Sequence, residues 1–145
     1  MARETRVEAY AAILGLEETE GDRLIMEQVL DDIWIAMGLD FYPPGMDYYL
    51  LDCGASAGYS TAERWLGILL EIPPGIDKFW IEATKRLRLY SDLAPILDGL
   101  EMFRRRRARA EPGWDDERSR RVNRLIRAKS RAIKMLGRTA AEVAA

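Results

Sequence analysis

The chain has 145 residues, 48% apolar and 32% charged, which is enough to fold as one domain around a core. It contains no histidine and one cysteine, which excludes Ser-His-Asp and Cys-His catalysis, an intrachain disulfide and most zinc sites. No apolar run reaches the ~18 residues that span a bilayer, and the charged N-terminus lacks the apolar segment of a signal peptide. We therefore predict a protein that is cytoplasmic as synthesised, without a membrane span, and released by another route if it acts outside.

Apolar residues recur at helical spacing almost throughout, and no strand pattern or internal repeat is evident. The pattern predicts an all-α fold of six or seven helices, with residues 1–145 forming a single domain. In chain order, the predicted helices cover about residues 3–18, 22–38, 46–57, 60–72, 77–91, 93–110 and 114–137.

Turn and capping residues separate these helices. Ser60-Thr61-Ala62-Glu63 is typical of a capping box, and prolines with glycines predict turns before and after that helix. The small-residue run Gly54-Ala55-Ser56-Ala57-Gly58 lets a buried helix end while another helix crosses close to it. A ligand groove at this run is the alternative interpretation.

Charge is divided unevenly along the chain, although the net charge is only −2. Residues 104–138 carry 14 basic and 4 acidic residues, whereas residues 1–103 carry 8 and 19. Such a basic region attracts an acidic protein surface, nucleic acid or an anionic glycan, while a solvated helix face is the alternative. Within the two arginine-rich stretches, residues 104–109 and 118–131, no aromatic residue is interleaved with the arginines, which argues against binding single strands. The arginines predicted to contact an anionic partner are Arg104, Arg105, Arg106, Arg107, Arg120, Arg121, Arg124 and Arg127.

Several short stretches follow one another in the order seen in a known family. They are Asp32-Ile33-Trp34, Tyr42-Pro43-Pro44-Gly45-Met46-Asp47, Leu51-Asp52-Cys53-Gly54-Ala55-Ser56-Ala57-Gly58, Ala62-Glu63-Arg64-Trp65-Leu66, Arg86-Leu87-Arg88-Leu89-Tyr90-Ser91-Asp92-Leu93 and Gly113-Trp114. Through them, residues 24–137 resemble glycoside hydrolase family 108, the phage endolysin or secretion-activator muramidases, with their peptidoglycan-binding C-terminal part. The resemblance implies a lysozyme-like helical fold and peptidoglycan as the ligand.

The catalytic segment of that family has no full counterpart here. The family places its catalytic glutamate in a Glu-Gly-Gly motif followed by a long loop, whereas Glu20-Gly21-Asp22 is followed ten residues later by Asp32. Residues 1–23 therefore replace the catalytic segment. Glu20 is the carboxylate that matches the catalytic position, and a surface helix end is its alternative role, because a solvated glutamate is a poor general acid at neutral pH.

The residues near the small-residue run have structural interpretations as well. Asp52 is expected to pair with an arginine, and Cys53 is expected to be a small core residue. The family's Asn-Ser-Gly motif corresponds to Ser56-Ala57-Gly58, which lacks the amide side chain.

These observations favour a catalytically degenerate muramidase-like protein, acting as a structural or interaction module of a phage or phage-derived particle and meeting an acidic protein surface. The first alternative is a peptidoglycan-binding module or residual N-acetylmuramidase. It predicts a ligand groove formed by Ser56, Gly58, Tyr59 and Trp80. The second alternative is a nucleic-acid-binding protein that uses the basic last helix. We predict no metal and no cofactor for any of the three.

Overall fold

Six α-helices and one short 3₁₀-helix make up the described part of the chain, and no strand occurs in it. The computed structural model describes Ala9, Ile13 and residues 23–144, without the side chains of residues 23–25 and 138–144. The α-helices are α1 (Arg23–Met37), α2 (Met46–Ala57), α3 (Tyr59–Leu70), α4 (Phe79–Leu87), α5 (Ala94–Ala110) and α6 (Trp114–Ala144), and the 3₁₀-helix is Leu39–Phe41. The all-α prediction is confirmed. The predicted helix at residues 3–18 lies outside the described residues except for Ala9 and Ile13, which are buried in the core.

The start of α3 differs from the prediction. The helix begins at Tyr59, its N-cap is Gly58, and no side chain caps it. The predicted capping box at Ser60 is therefore wrong, because Ser60 already lies within the helix. Gly58 has φ +91°, a backbone conformation that glycine adopts without steric cost, and this one residue turns the chain from α2 into α3.

Two other helices differ from the prediction in length. α4 covers Phe79–Leu87 instead of extending to Ser91. α6 continues to Ala144 instead of ending near Gly137, in keeping with the helix-forming Ala, Arg and Glu residues at this end of the chain.

Helix α2 lies at the centre of the fold and contacts α1, α3, α5 and α6. Every residue from Met46 to Gly54 is buried, which is the pattern of a helix surrounded by other helices. The largest fully buried side chains come mainly from α2 and its neighbours: Trp34, Tyr42, Tyr48, Tyr49, Leu30, Met37, Met46, Leu50, Leu51 and Leu66. A single contiguous core of this kind is what holds helices of such different lengths together.

The small-residue run marks a close helix crossing. A Cβ atom at Gly54 would lie 2.9 Å from Cγ2 of Ile33 and 3.3 Å from Sδ of Met37, both on α1. The packing interpretation is therefore confirmed for Gly54, because a larger residue there would push α1 away from α2. At the end of the run, Gly58 has open space around it and serves the turn instead.

Candidate anion-binding site

A buried ion-pair cluster connects the central helix to α5 and α6. The carboxylate of Asp52, 0% exposed, lies 2.8 Å from Nη2 of Arg104 and 3.2 Å from Nη2 of Arg124. Arg104 comes from α5 and is itself 4% exposed, whereas Arg124 comes from α6 and is partly exposed. The expectation that Asp52 pairs with an arginine is confirmed. Cys53, the next residue, is a buried free thiol, as predicted.

Arg104 does not lie on the surface, so its predicted role in an exposed partner contact is corrected. Its guanidinium lies over the ring of Tyr49, with 5.2 Å between Cζ and the ring centroid, and its Nη2 donates to Oγ of Ser56 at 3.3 Å. Burial lowers the pKa of this guanidinium, but the negative charges of Cys53 at high pH and of Asp52 outweigh burial and raise the pKa above its ordinary value. Arg104 is therefore a permanently charged group in the interior.

The ion pairs leave part of the Arg104 guanidinium without a partner. Its Nη1 is buried and has no hydrogen-bond partner. Oδ2 of Asp52 accepts no well-aligned hydrogen bond either, although Nη2 of Arg104 is 2.8 Å away, so that contact is mainly charge attraction. A buried charged donor without an acceptor is costly for the folded state.

A pocket of about 250 Å³ opens beside this cluster. It lies where the end of α2 meets α3, α5 and α6. Its lining residues are Ser56, Ala57, Trp65, Arg104, Arg107, Ala108, Glu111, Arg121, Arg124 and Leu125. Four of these are arginines and one is acidic, so the pocket favours an anion. We call it the arginine pocket.

A second basic surface lies on another part of the α5–α6 hairpin. A pocket of about 290 Å³ is lined there by Arg105, Arg109, Trp114, Arg118, Ser119, Val122 and Asn123. Arg109 and Arg118 are exposed, and neither forms an ion pair within the described residues. We call this surface, which includes Trp114, the hairpin surface.

The other arginines predicted to contact a partner divide into paired and unpaired groups. Arg105 pairs with Glu101, Arg107 with Glu111, Arg120 with Glu117, and Arg121 with both Glu111 and Glu117, at 3.0–3.6 Å. Arg106 and Arg127 are exposed, with no ion pair among the residues the structure describes. Hydrogen bonding by Arg121 and the charge of Arg120 hold the pKa of the Glu117 carboxyl below its ordinary value. The ion pairs of Glu117 with Arg120 and Arg121 therefore persist in mildly acidic solution.

The residues predicted to form one ligand groove do not come together. Ser56 lines the arginine pocket, and Gly58 and Tyr59 are exposed at the α2–α3 junction. Trp80 lies elsewhere, stacked on Phe41 with 6.4 Å between ring centroids, and lines a mostly apolar pocket of about 390 Å³. Ser56 and Trp80 thus line different pockets, and the Trp80 ring covers Gly38, where a Cβ atom would be 2.5 Å from Cδ2 of Trp80. Glu20, the predicted catalytic residue, lies outside the described residues.

Trp65 and Trp114 were not predicted as site residues, and Arg109 and Arg118 belong to the basic region without having been singled out. The sequence does contain a signal for which arginines of α5 and α6 face each other. In an antiparallel helix pair, residues equally far from the turn face each other. Arg107 and Arg121 lie seven residues on either side of Trp114, and Arg104 and Arg124 lie ten residues on either side. This symmetry predicts the facing arginines, whereas nothing in the pattern places Trp65 beside them.

Comparisons of the chain with protein-family models, with curated protein sequences and with solved structures found no match. The part of the chain that the structure describes contains no helix long and apolar enough to cross a membrane. It also contains no group of three or more acidic, cysteine or histidine residues that could hold a metal ion.

Proposed function

We propose that this protein is an interaction module that docks an acidic protein surface through the hairpin surface. The observation that carries the proposal is the pair of exposed arginines, Arg109 and Arg118, which line the same pocket as Trp114 and have no acidic partner in the described chain. Arginine and tryptophan are the residues most enriched at the energetic centres of protein interfaces. An acidic partner supplies the negative charges that pair with these two arginines.

The charge pattern favours a protein over nucleic acid as the partner. Asp98, Glu101, Glu111 and Glu117 are interleaved with the arginines of α5 and α6, and the first turn of α6 is acidic. A phosphate backbone is uniformly negative and is repelled by these carboxylates, whereas a protein surface can present charges of both signs.

The resemblance to phage muramidases suggests where the partner belongs. We propose that the chain keeps a muramidase-like scaffold without the catalytic segment, as a structural component of a phage or phage-derived particle. The acidic partner is then another protein of that assembly.

Neutralising the two unpaired arginines should weaken binding to an acidic protein probe. The probe is a fluorescein-labelled, Glu-rich helical peptide that also carries lysines, and its affinity is measured by fluorescence polarisation. The double variant Arg109→Gln, Arg118→Gln should bind about five- to thirtyfold more weakly, because each exposed ion pair contributes ~0.5–1 kcal/mol.

The matched control is Lys85→Gln with Arg88→Gln. These two cations are also exposed, but they lie beside Trp80 and away from the hairpin. The control removes the same charge and should leave the affinity within about twofold of wild type. An equal loss in both double variants would contradict the proposal, because net charge alone would then explain the binding.

A peptidoglycan-binding module is the second candidate, and the Phe41–Trp80 stack is the observation that favours it. Phe41 is 65% exposed and its ring is nearly parallel to that of Trp80, which gives an aromatic surface of the kind on which sugar rings stack.

For this candidate, Phe41→Ala should reduce the fraction of protein that sediments with purified peptidoglycan. The control is Leu89→Ala, which also shortens an exposed apolar side chain and should leave that fraction unchanged. Equal sedimentation of wild type and both variants would exclude this candidate.

A further inference from the structure

One of the residues that line the arginine pocket is a buried, charged arginine with a nitrogen that makes no hydrogen bond. Arg104 reaches the pocket from α5, almost completely buried, with Nη2 occupied by Asp52 and Ser56 and Nη1 without a partner. The charge of Asp52 is shared between Arg104 and Arg124, so neither guanidinium has that carboxylate to itself. Nη1 itself is buried, so the part of Arg104 that lines the pocket attracts an anion through the charge of its guanidinium.

The pocket also has an apolar wall. Trp65 and Leu125 line it, and the Trp65 ring is held in place by stacking on Phe103, with 5.7 Å between centroids. At about 250 Å³ the pocket holds a small molecule, since one water-sized group occupies ~30 Å³. An inorganic anion would bind the arginines but would make no apolar contact with this wall.

We propose that the arginine pocket binds a small organic anion, whose carboxylate or phosphate group is held by Arg104 and Arg124 and whose apolar body contacts Trp65. The planar guanidinium forks suit both kinds of charged group. The proposal does not rest on the proposed function, because it uses none of the residues of the hairpin surface varied above.

The first test compares two ligands of nearly the same shape, one anionic and one neutral. Phenylacetate and its neutral isostere phenylacetamide are titrated into the full chain, and binding is followed by tryptophan fluorescence and by the rise in melting temperature. Phenylacetate should bind at least about tenfold more tightly than phenylacetamide, because the neutral amide has no negative charge to form an ion pair with the arginines. Phenyl phosphate, titrated in parallel, identifies which of the two anionic groups the pocket prefers.

The second test blocks the pocket without removing a charge. Replacing Arg104 risks the fold, so the variant is Ala108→Trp, at a lining position on α5. Its control is Ala110→Trp, an exposed position on the same helix that does not line the pocket. Ala108→Trp should abolish phenylacetate binding, and Ala110→Trp should retain the wild-type affinity.

Three results would overturn the proposal. They are equal affinity for phenylacetate and phenylacetamide, no binding of any of the three probes, and unchanged phenylacetate binding by Ala108→Trp. The last result would place the ligand elsewhere on the chain.

Discussion

Replacing Asp52 with asparagine should destabilise the protein by about 3–5 kcal/mol, measured as the free energy of unfolding in urea by circular dichroism. The substitution keeps the shape of the side chain and removes its charge. Arg104, 4% exposed, then remains charged in the core without a counter-ion, and Arg124 loses the same partner. The cost arises from the uncompensated buried charge and not from the loss of one hydrogen bond.

A surface ion pair provides the control for this prediction. Asp98 is exposed and contacts Lys129 across the α5–α6 hairpin. Asp98→Asn removes the same charge and should cost less than about 1 kcal/mol, because solvent screens exposed pairs. In the Asp52→Asn background, Arg104→Met should recover part of the stability by removing the unpaired charge. If Asp52→Asn cost no more than Asp98→Asn, the cluster would not be the buried unit described above.

The second large effect is expected at Gly45, the N-cap of α2. Gly45 has φ +97°, and a Cβ atom there would lie 2.6 Å from the backbone oxygen of Ala132 and 2.8 Å from Cγ of Leu136, both on α6. Gly45→Ala should cost about 2–6 kcal/mol, because backbone strain and overpacking each contribute ~1–3 kcal/mol. The clash is severe because a helix backbone cannot move aside as a flexible side chain does.

Gly75→Ala is the control that separates the cost of backbone strain from the cost of overpacking. Gly75 also has positive φ, +82°, but no atom lies within 4 Å of the position its Cβ would take. Its substitution should therefore cost only the strain, ~1–3 kcal/mol, in the same urea titration. Equal costs at the two glycines would mean that α6 does not lie against the start of α2.

Much of the fold follows from local sequence patterns. Helical periodicity predicts α2 at its observed bounds, and the apolar character on all faces of α2 predicts its central position. Turn residues predict the α5–α6 connection at Pro112 and Gly113 because they act over one or two residues. The start of α3 is harder to predict, because two local signals disagree. The capping pattern predicts a start at Ser60, whereas the structure begins the helix at Tyr59, directly after the turn at Gly58.

The site is less predictable than the fold, because it depends on contacts between distant residues. Sequence reasoning pairs Asp52 with an arginine but does not select Arg104, which counts as one member of an exposed basic run until α5 is oriented. The rotation of α5 buries Arg104 and leaves Arg106 exposed. Trp80 shows the same limit, because only tertiary packing decides that it covers Gly38 and lies apart from Ser56.

The four tryptophans allow one measurement to test the central claim, that the hairpin surface docks an acidic protein. Trp114 lies in the hairpin surface, Trp65 in the arginine pocket and Trp80 in the aromatic pocket, while Trp34 is buried. Their indole N–H signals are followed by NMR while the Glu-rich peptide is added, and then a DNA duplex of equal net charge. The proposal predicts that the peptide shifts the Trp114 signal most and that the duplex shifts it less at the same salt concentration. A peptide-induced shift confined to Trp80 or Trp65, or an equal Trp114 shift with the duplex, would contradict it.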